Sequence, residues 1–293
     1  MLTKVQKQEI QGALKTYVQR FDSQNAAANS LKGVSSATIS QILNENWEFI
    51  KDSMWRNIAA QIDYNPNRWE AVETVNYKKL TKLFKDSHSS SLVFGITGNA
   101  GCGKSFAARQ YCANHKNAYL LQCNEYWNRK YFLSELLTAM GRDFSGLTVA
   151  EMMSEAVKHL KMKDAPMIIM DEADKLTDQV LYFFITLYNQ LEDHCGIVLM
   201  ATNHLKKRID RGIRLNKRGY REIYSRLGRK FIELKEVSST DIAQICTANG
   251  IMVRSELKDI IDDSEGDLRR VKRKIYANKK KKDNQNTDGD EKE

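Results

Sequence analysis

The sequence predicts an α/β fold: a central parallel β-sheet, preceded by a small all-α unit and followed by a small helical unit. Short apolar runs alternate with amphipathic helical patterns between residues 91 and 235, which is typical of βαβ connections. The runs are apolar throughout, as expected for strands covered on both faces of a sheet. The flanking segments show helical patterns instead. The predicted strands are 92–97, 119–122, 167–170, 197–202 and 231–234.

Composition agrees with a globular protein. The chain has 293 residues, of which 42% are hydrophobic and 28% charged, so it can form a sizeable core. No apolar run approaches the ~18 residues that a membrane span needs, and the first residues lack a secretory signal. The five cysteines form no C-x-x-C pair. We therefore expect buried, reduced thiols and a cytoplasmic protein without membrane partners.

A phosphate-binding loop follows the first predicted strand. The sequence GNAGCGKS, residues 98–105, has the full G-x-x-x-x-G-K-[ST] pattern and runs into a helical pattern. This strand–loop–helix context predicts a nucleotide site, because glycines and a helix N-terminus direct N–H groups at phosphates. Lys104 is expected to reach the β- and γ-phosphates and Ser105 to bind Mg²⁺. The backbone of the loop is expected to surround the phosphates at Gly98, Gly101, Cys102 and Gly103.

Two carboxylates end another buried run. In APMIIMDEADKL, Asp171 is positioned to hold Mg²⁺ and Glu172 to polarise an attacking water. Asp174 is interpreted as structural. A DE pair alone is weak evidence, but together with the phosphate loop it predicts ATP hydrolysis with Mg²⁺.

Further polar residues follow the later strands. Asn203 comes directly after the run 197–202, where its amide would reach the γ-phosphate and the attacking water; the alternative is an ordinary turn residue. Arg226 and Arg229 precede the last strand and would reach a neighbouring subunit's nucleotide. Arg269 begins a helix of the C-terminal unit and would cover the phosphates. Each arginine alone is equally consistent with a surface cation.

In this order, GNAGCGKS, IIMDEAD, ATN, SRLGR and GDLR resemble the motifs of an AAA+ ATPase over about residues 92–276. The resemblance implies a P-loop NTPase core at 91–235 and a helical lid at 236–278. It also implies an arginine finger acting in trans, and Arg226 matches that position better than Arg229. Residues 63–90 are expected to be a linker and helix, and 279–293 a disordered charged tail.

The N-terminal segment 1–62 has a helix–turn–helix pattern. An Ala-rich helix at 24–31 and a second helix at 36–43 flank a turn in which Gly33 can take positive φ. The pattern resembles DNA-binding domains of the phage Cro/CI repressor type; the alternative is a generic helical packing unit. The polar outer face of the second helix would contact DNA through Ser36, Thr38 and Gln41.

Two strongly basic stretches suggest a polyanionic partner, although charge runs are also common on solvated faces. Residues 204–230 contain eleven Lys and Arg against two acids, and 269–282 contain nine and no acid. Domain order and motifs together resemble the MuB family of transposition target-capture ATPases. That resemblance implies ATP-dependent, sequence-nonspecific binding of double-stranded DNA in a bacterial cell, a homo-oligomeric filament or ring, and a DDE transposase as partner. The residues that would line the DNA are Arg129, Lys130, Lys206, Lys207, Arg208, Arg211 and Arg214.

Two other functions share these motifs. A helicase loader or replication initiator would use the same ATPase core but bind a replicative helicase. A transcriptional regulator would use nucleotide only as a switch and recognise a defined operator through the N-terminal unit. Glu172 argues against a pure switch, because a switch does not need a catalytic carboxylate.

Overall fold

The computed structural model describes residues 2–65 and 70–290, with side chains as far as Lys280. The predicted α/β fold is confirmed, with a single five-stranded parallel sheet among these residues. Its strands lie in the order β2-β3-β4-β1-β5. They are β1 Val93–Thr97, β2 Ala118–Gln122, β3 Met167–Asp171, β4 Gly196–Ala201 and β5 Phe231–Glu233.

Helices cover both faces of the sheet. One face packs against α7 (Arg129–Ala139), α8 (Val149–Lys161), α9 (Asp178–Leu191), α10 (Asn203–Arg214) and α11 (Tyr220–Arg226). The opposite face packs against α5 (Val75–Ser90), α6 (Lys104–Asn114) and the C-terminal helices α12 (Ser239–Ala248), α13 (Arg254–Ser264) and α14 (Leu268–Asp290). Side chains of β3 alternate between the two cores, Ile168 in one and Ile169 in the other. A sheet buried on both faces explains why its strands are uniformly apolar.

Parallel pairing determines where the polar residues lie. The carboxyl ends of all strands meet at one edge of a parallel sheet, where ligands bind in α/β folds. This edge therefore carries the phosphate loop after β1, Asp171 at the end of β3 and Thr202 after β4.

The N-terminal unit has its own core. Helices α1 (Lys4–Val18), α2 (Gln24–Asn29), α3 (Ser36–Leu43) and α4 (Asp52–Gln61) pack around Trp55, Ile39 and Ile42. Gly33 has φ +73°, as the predicted turn requires. Helix α2 ends at Asn29, earlier than predicted. In α3, Ile42 is fully buried, whereas Leu43 is only partly buried.

This unit contacts the α/β core at the connection between α7 and α8. Gly141 there has φ +68° and approaches α2 so closely that a Cβ would lie 2.4 Å from the carbonyl oxygen of Ala26. A side chain at this position would separate the two surfaces. Two ion pairs join the units, Lys32–Glu135 at 2.7 Å and Lys163–Asp22.

The helix predicted within residues 63–90 is present as α5, and the segment predicted as a tail is more helical than expected. Residues 66–69 of the predicted linker lie outside the described residues, but α5 is part of the core, with Leu80 and Phe84 fully buried. Helix α14 continues to Asp290, where we predicted disorder from residue 279. Lysine has a high helix propensity, and the helix begins on packed residues such as Val271 and Ile275. Residues 291–293 lie outside the described part. No helix within the described residues is long and apolar enough to cross a membrane.

Candidate functional site

The phosphate loop joins β1 to α6 in the conformation that the motif predicts. Gly101 and Gly103 have φ +75° and +94°, which L side chains rarely adopt. The Lys104 side chain is buried, and its Nζ donates to the carbonyl oxygens of Gly98 at 2.7 Å and Asn99 at 2.9 Å. A buried cation bonded to neutral oxygens suits an anionic ligand, because a buried charge is stable only when it is paired. The Cys102 thiol is buried beneath the loop.

The two residues predicted to bind Mg²⁺ are brought together. The Ser105 hydroxyl is hydrogen-bonded to the Asp171 carboxylate, and the backbone N–H of Glu172 donates to Asp171 Oδ1 at 3.0 Å. Burial raises the pKa of Asp171, while the bond from Ser105 opposes that shift. A buried carboxylate beside a hydroxyl is an oxygen donor set of the kind that Mg²⁺ prefers, so these residues fit the ion.

Glu172 follows directly, in a left-handed conformation with φ 57°. Its carboxylate accepts a hydrogen bond from Lys175 Nζ at 2.6 Å. Asp174 accepts from Thr202 Oγ1 at 2.6 Å, which ties β3 to β4 and agrees with a structural role. The acidic strand end therefore contains three carboxylates with different partners: Asp171 with Ser105, Glu172 with Lys175 and Asp174 with Thr202.

Asn203 does not point where we expected. Its Nδ2 donates to Glu233 Oε1 at 3.2 Å, on the side of β5. Its buried Oδ1 has no hydrogen-bond partner among the described residues. Thr202, one residue earlier, lines the cavity instead.

The C-terminal helical unit contacts the phosphate loop. The N–H of Leu268 donates to the Gly101 carbonyl oxygen at 3.1 Å. The Asp267 carboxylate lies against Gly101, where a Cβ would be 2.1 Å from Oδ1. Arg269 follows on the first turn of α14 and lines the cavity, as predicted.

A cavity of about 490 Å³ lies between these elements, within the usual range for small-molecule sites. The sequence predicted its polar half, formed by the phosphate loop, Asp171, Glu172 and Arg269. It did not predict an apolar wall contributed by distant segments. That wall has no sequence signal, because only the fold brings its residues together: Ala71, Val72, Tyr77, Phe106, Ile245 and Leu268.

The two candidate arginine fingers differ in their surroundings. Arg226 donates to Asn189 Oδ1 from Nε at 3.0 Å and from Nη2 at 2.7 Å. Its guanidinium also lies 5.4 Å from the ring centre of Tyr188. Arg229 is exposed, after Gly228 in a turn where both residues have positive φ. The chain holds Arg226 in place and leaves Arg229 facing outward.

Within the basic stretch 204–230, the cations of α10 form an exposed face, apart from Arg208. Arg208, predicted to contact DNA, belongs to an internal network: it pairs with Asp178 and donates to Tyr220 Oη at 3.1 Å and to the Leu176 carbonyl oxygen at 2.6 Å. It lies on the side of α10 that faces the core. The exposed cations of the helix are Lys206, Lys207, Arg211 and Arg214.

The other predicted DNA contacts are at least partly accessible. Gln41, Arg129 and Lys130 are exposed, and Ser36 is half-buried. Thr38 is also half-buried, and its N–H and hydroxyl both contact the Ser35 hydroxyl that caps α3. All five cysteines are free and buried, as predicted.

Residues 87–209 match the family model of the AAA domain. The chain is 22% identical to the ATP-dependent target DNA activator B proteins of Escherichia phages Mu and D108. Each match spans 275 residues, 85% of this chain and 80% of the relative. It is also 22% identical over 251 residues to the Mu-like prophage FluMu DNA transposition protein B of Haemophilus influenzae, covering 81% of this chain and 85% of the relative. Part of the chain therefore matches the AAA domain, and most of its length is similar to the B proteins of Mu-like phages.

Proposed function

We propose that this protein is an ATPase that assembles on double-stranded DNA in its ATP-bound state and delivers that DNA to a DDE transposase. One observation carries the proposal most strongly. A buried lysine, a serine–aspartate pair and a glutamate bonded to Lys175 converge on one cavity, in a chain similar to proteins named ATP-dependent target DNA activators.

The cavity contains candidate binding residues for the phosphates, the Mg²⁺ ion and the base of ATP. Lys104 and the loop N–H groups, including that of Cys102, would bind the phosphates, and Arg269 would cover them from the lid. Ser105 and Asp171 would hold Mg²⁺, which neutralises phosphate charge. The apolar wall near Tyr77 is suited to a purine base.

Hydrolysis requires a base and a cation at the γ-phosphate. Glu172 is the candidate base, because it follows Asp171 directly and lines the same cavity. Arg229 of a neighbouring subunit is the candidate cation, and Arg226 is the runner-up. Asn203 would need a rotation away from Glu233 to reach the attacking water.

The exposed cations of α10 are candidates for binding the DNA backbone. Lys206, Lys207, Arg211 and Arg214 lie on one exposed helix, and phosphate contacts of this kind carry no sequence information. Such a surface supports sequence-indifferent binding. Ser36, Thr38 and Gln41 of the N-terminal unit are the candidates for a further DNA contact.

The proposal is tested by measuring affinity for a random-sequence duplex with ATP, with ADP and without nucleotide, across a salt series. We expect cooperative binding that requires ATP, with a slope of about −0.9 in log K against log salt for each neutralised phosphate. Nucleotide-independent binding, or binding to one operator only, would favour the regulator. A replicative helicase that binds in place of a transposase would favour the loader.

The matched variant is Lys104→Ala. It should lose ATP binding and, with it, cooperative DNA binding, because a buried ammonium at the phosphates is removed. Lys258→Ala, an exposed lysine on α13, is the control and should bind both ligands as the wild type does. DNA-bound oligomers of Lys104→Ala with normal ATP dependence would contradict the proposed coupling.

A further inference from the structure

Two exposed tyrosines lie side by side, Tyr126 in the connection between β2 and α7 and Tyr131 in the first turn of α7. Tyr126 is 65% and Tyr131 39% exposed, and their ring centres are 5.7 Å apart at an interplanar angle of 79°. Large aromatic side chains are rarely left in water in pairs without a binding role. We call Tyr126, Arg129, Lys130 and Tyr131 the tyrosine patch.

A buried aromatic stack supports this pair. Trp127 is only 5% exposed; its ring centre lies 6.0 Å from that of Tyr131 and 6.3 Å from that of the fully buried Phe132. The Asn128 side chain caps α7 by accepting the N–H of Tyr131 at 2.9 Å. The rings are therefore held in position before any ligand binds, which lowers the entropy cost of binding.

The charges of the patch are positive and unpaired. Arg129 and Lys130 are exposed, and neither forms an ion pair with any residue in the described part of the chain. They occupy the first turn of α7, where the helix dipole disfavours cations, so helix stability does not explain them. The neighbouring acid, Glu125, lies near Lys175, whose pKa is raised by its bond to Glu172 and by Glu125.

Helix α7, which carries three of the four patch residues, also contacts the N-terminal unit. Lys32, in the turn before α3, donates to Glu135 of α7 at 2.7 Å. That bond, and more weakly the two phenols of the patch, raise the pKa of Lys32. The turn of the N-terminal unit and the tyrosine patch thus form one continuous surface.

The position of the segment links it to the nucleotide site. Gln122, the last residue of β2, is paired in register with Asp171, and the N–H of Cys123 donates to the Asp171 carbonyl oxygen at 2.9 Å. The patch begins only a few residues later. A shift of the carboxyl end of β3 would therefore be transmitted directly to the patch.

We propose that the tyrosine patch binds duplex DNA, with Arg129 and Lys130 on the phosphates and the Tyr126 and Tyr131 rings packed against exposed base faces at an opened base step. The inference rests on the proposed function and adds to it a base-stacking contact. Proteins that deform DNA insert apolar or aromatic wedges between bases, and such contacts tolerate any sequence. Exposed aromatic rings between unpaired cations have the chemistry for this task.

The test separates stacking from charge in the full-length, ATP-bound protein. Tyr126→Ala and Tyr131→Ala should each weaken duplex binding about fivefold or more at every salt concentration, without changing the salt slope. Arg129→Ala and Lys130→Ala should each reduce the slope by about 0.9. A duplex containing 2-aminopurine should brighten on binding the wild type and Tyr126→Phe but not Tyr126→Ala, because only the ring unstacks the probe.

Controls assign each failure to its cause. Phe49→Ala removes another exposed aromatic, 83% exposed but beside the acidic Glu48, and should bind DNA as the wild type does. ATP binding by each variant reports whether the fold is retained.

Wild-type affinity of Tyr126→Ala and Tyr131→Ala for duplex DNA would overturn the inference and leave the proposed function intact. Loss of ATP-dependent self-assembly without DNA would instead make the patch a subunit contact. If the wild type did not bind duplex DNA at all, both proposals would fail.

Discussion

At the scale of single residues, the ion pair between Lys175 and Glu172 suggests how hydrolysis is restrained. The Lys175 ammonium binds the carboxylate that we assign as the general base, at 2.6 Å. A carboxylate bonded to a lysine is a weaker base and has fewer oxygen lone pairs left for an attacking water. A basal state of this kind would keep ATP bound until DNA or another subunit changes the site.

We therefore predict that Lys175→Met raises DNA-independent ATP hydrolysis severalfold, because Glu172 is released from its ion pair. The measurement is steady-state ATPase activity without DNA. Glu172→Gln is the companion variant, which should bind ATP yet hydrolyse it about 100-fold or more slowly. Unchanged or slower hydrolysis by Lys175→Met would show that the ion pair does not restrain the base.

The placement of site residues was predictable from sequence where a motif fixes both residue type and backbone. Lys104, Ser105 and Asp171 are such cases, and the structure brings them together. Arg208 shows the limit: the sequence places a cation on α10, but only the packing of α10 on α9 and α11 turns this one inward. A charge count does not distinguish a cation that binds a partner from one that binds its own chain.

At the scale of elements, α8 contains a buried histidine that makes stability depend on pH. His159 is buried, its Nε2 has no hydrogen-bond partner in the described part of the chain, and burial lowers its pKa to about 4. Lys163 and Arg142 add to this shift, while Asp22 and Glu155 oppose it. The neutral imidazole is thus the folded form.

The sign follows from proton binding. Between pH 6.5 and pH 4 the unfolded chain binds a proton at this histidine and the folded chain does not, so stability falls as the pH falls. The loss is about 3 kcal/mol at about 1.4 kcal/mol per pH unit. Urea unfolding of wild type and His159→Leu at pH 7.5 and 4.5 measures it: lowering the pH should cost the wild type about 3 kcal/mol more free energy of unfolding than it costs His159→Leu. The exposed His194→Leu should track the wild type at both pH values.

Strands were easier to predict than helices at this scale. All five predicted apolar runs are strands in the structure. A strand buried on both faces is apolar throughout, and this pattern is recognisable from the sequence without knowledge of the fold. Helix α5, predicted within a linker segment, covers the sheet through Leu80 and Phe84. Its amphipathic pattern shows one apolar side but not which surface that side meets.

At the scale of the whole molecule, nucleotide site and candidate DNA surfaces share one edge of the sheet. The phosphate loop, the Asp171 strand end, the tyrosine patch and the start of α10 all follow strand carboxyl ends. The lid contacts the same edge through Leu268 and Gly101. In this arrangement one ligand would bias the binding of the other through a few shared residues, which is how ATP would control the DNA binding that we propose.

The same geometry predicts that hydrolysis needs two subunits. Arg226 is held within its own chain by Asn189 and Tyr188, whereas Arg229 faces outward from a turn that follows α11. A cation that must reach a neighbour's γ-phosphate cannot be committed to its own subunit. We therefore predict that Arg229→Ala abolishes most hydrolysis while keeping ATP binding, and that Arg226→Ala retains substantial activity.

Mixing variants tests this in trans. An interface is complete when the subunit that binds ATP is Arg229→Ala, which has an intact Glu172, and its neighbour is Glu172→Gln, which has an intact Arg229. In an equal mixture about a quarter of the interfaces have that order, and about a quarter of the wild-type rate should return on DNA. Either variant alone should stay inactive. If hydrolysis recovers when Arg226→Ala, and not Arg229→Ala, is mixed with Glu172→Gln, the finger is Arg226. If mixing restores no hydrolysis with Arg229→Ala, the arginine acts within one subunit.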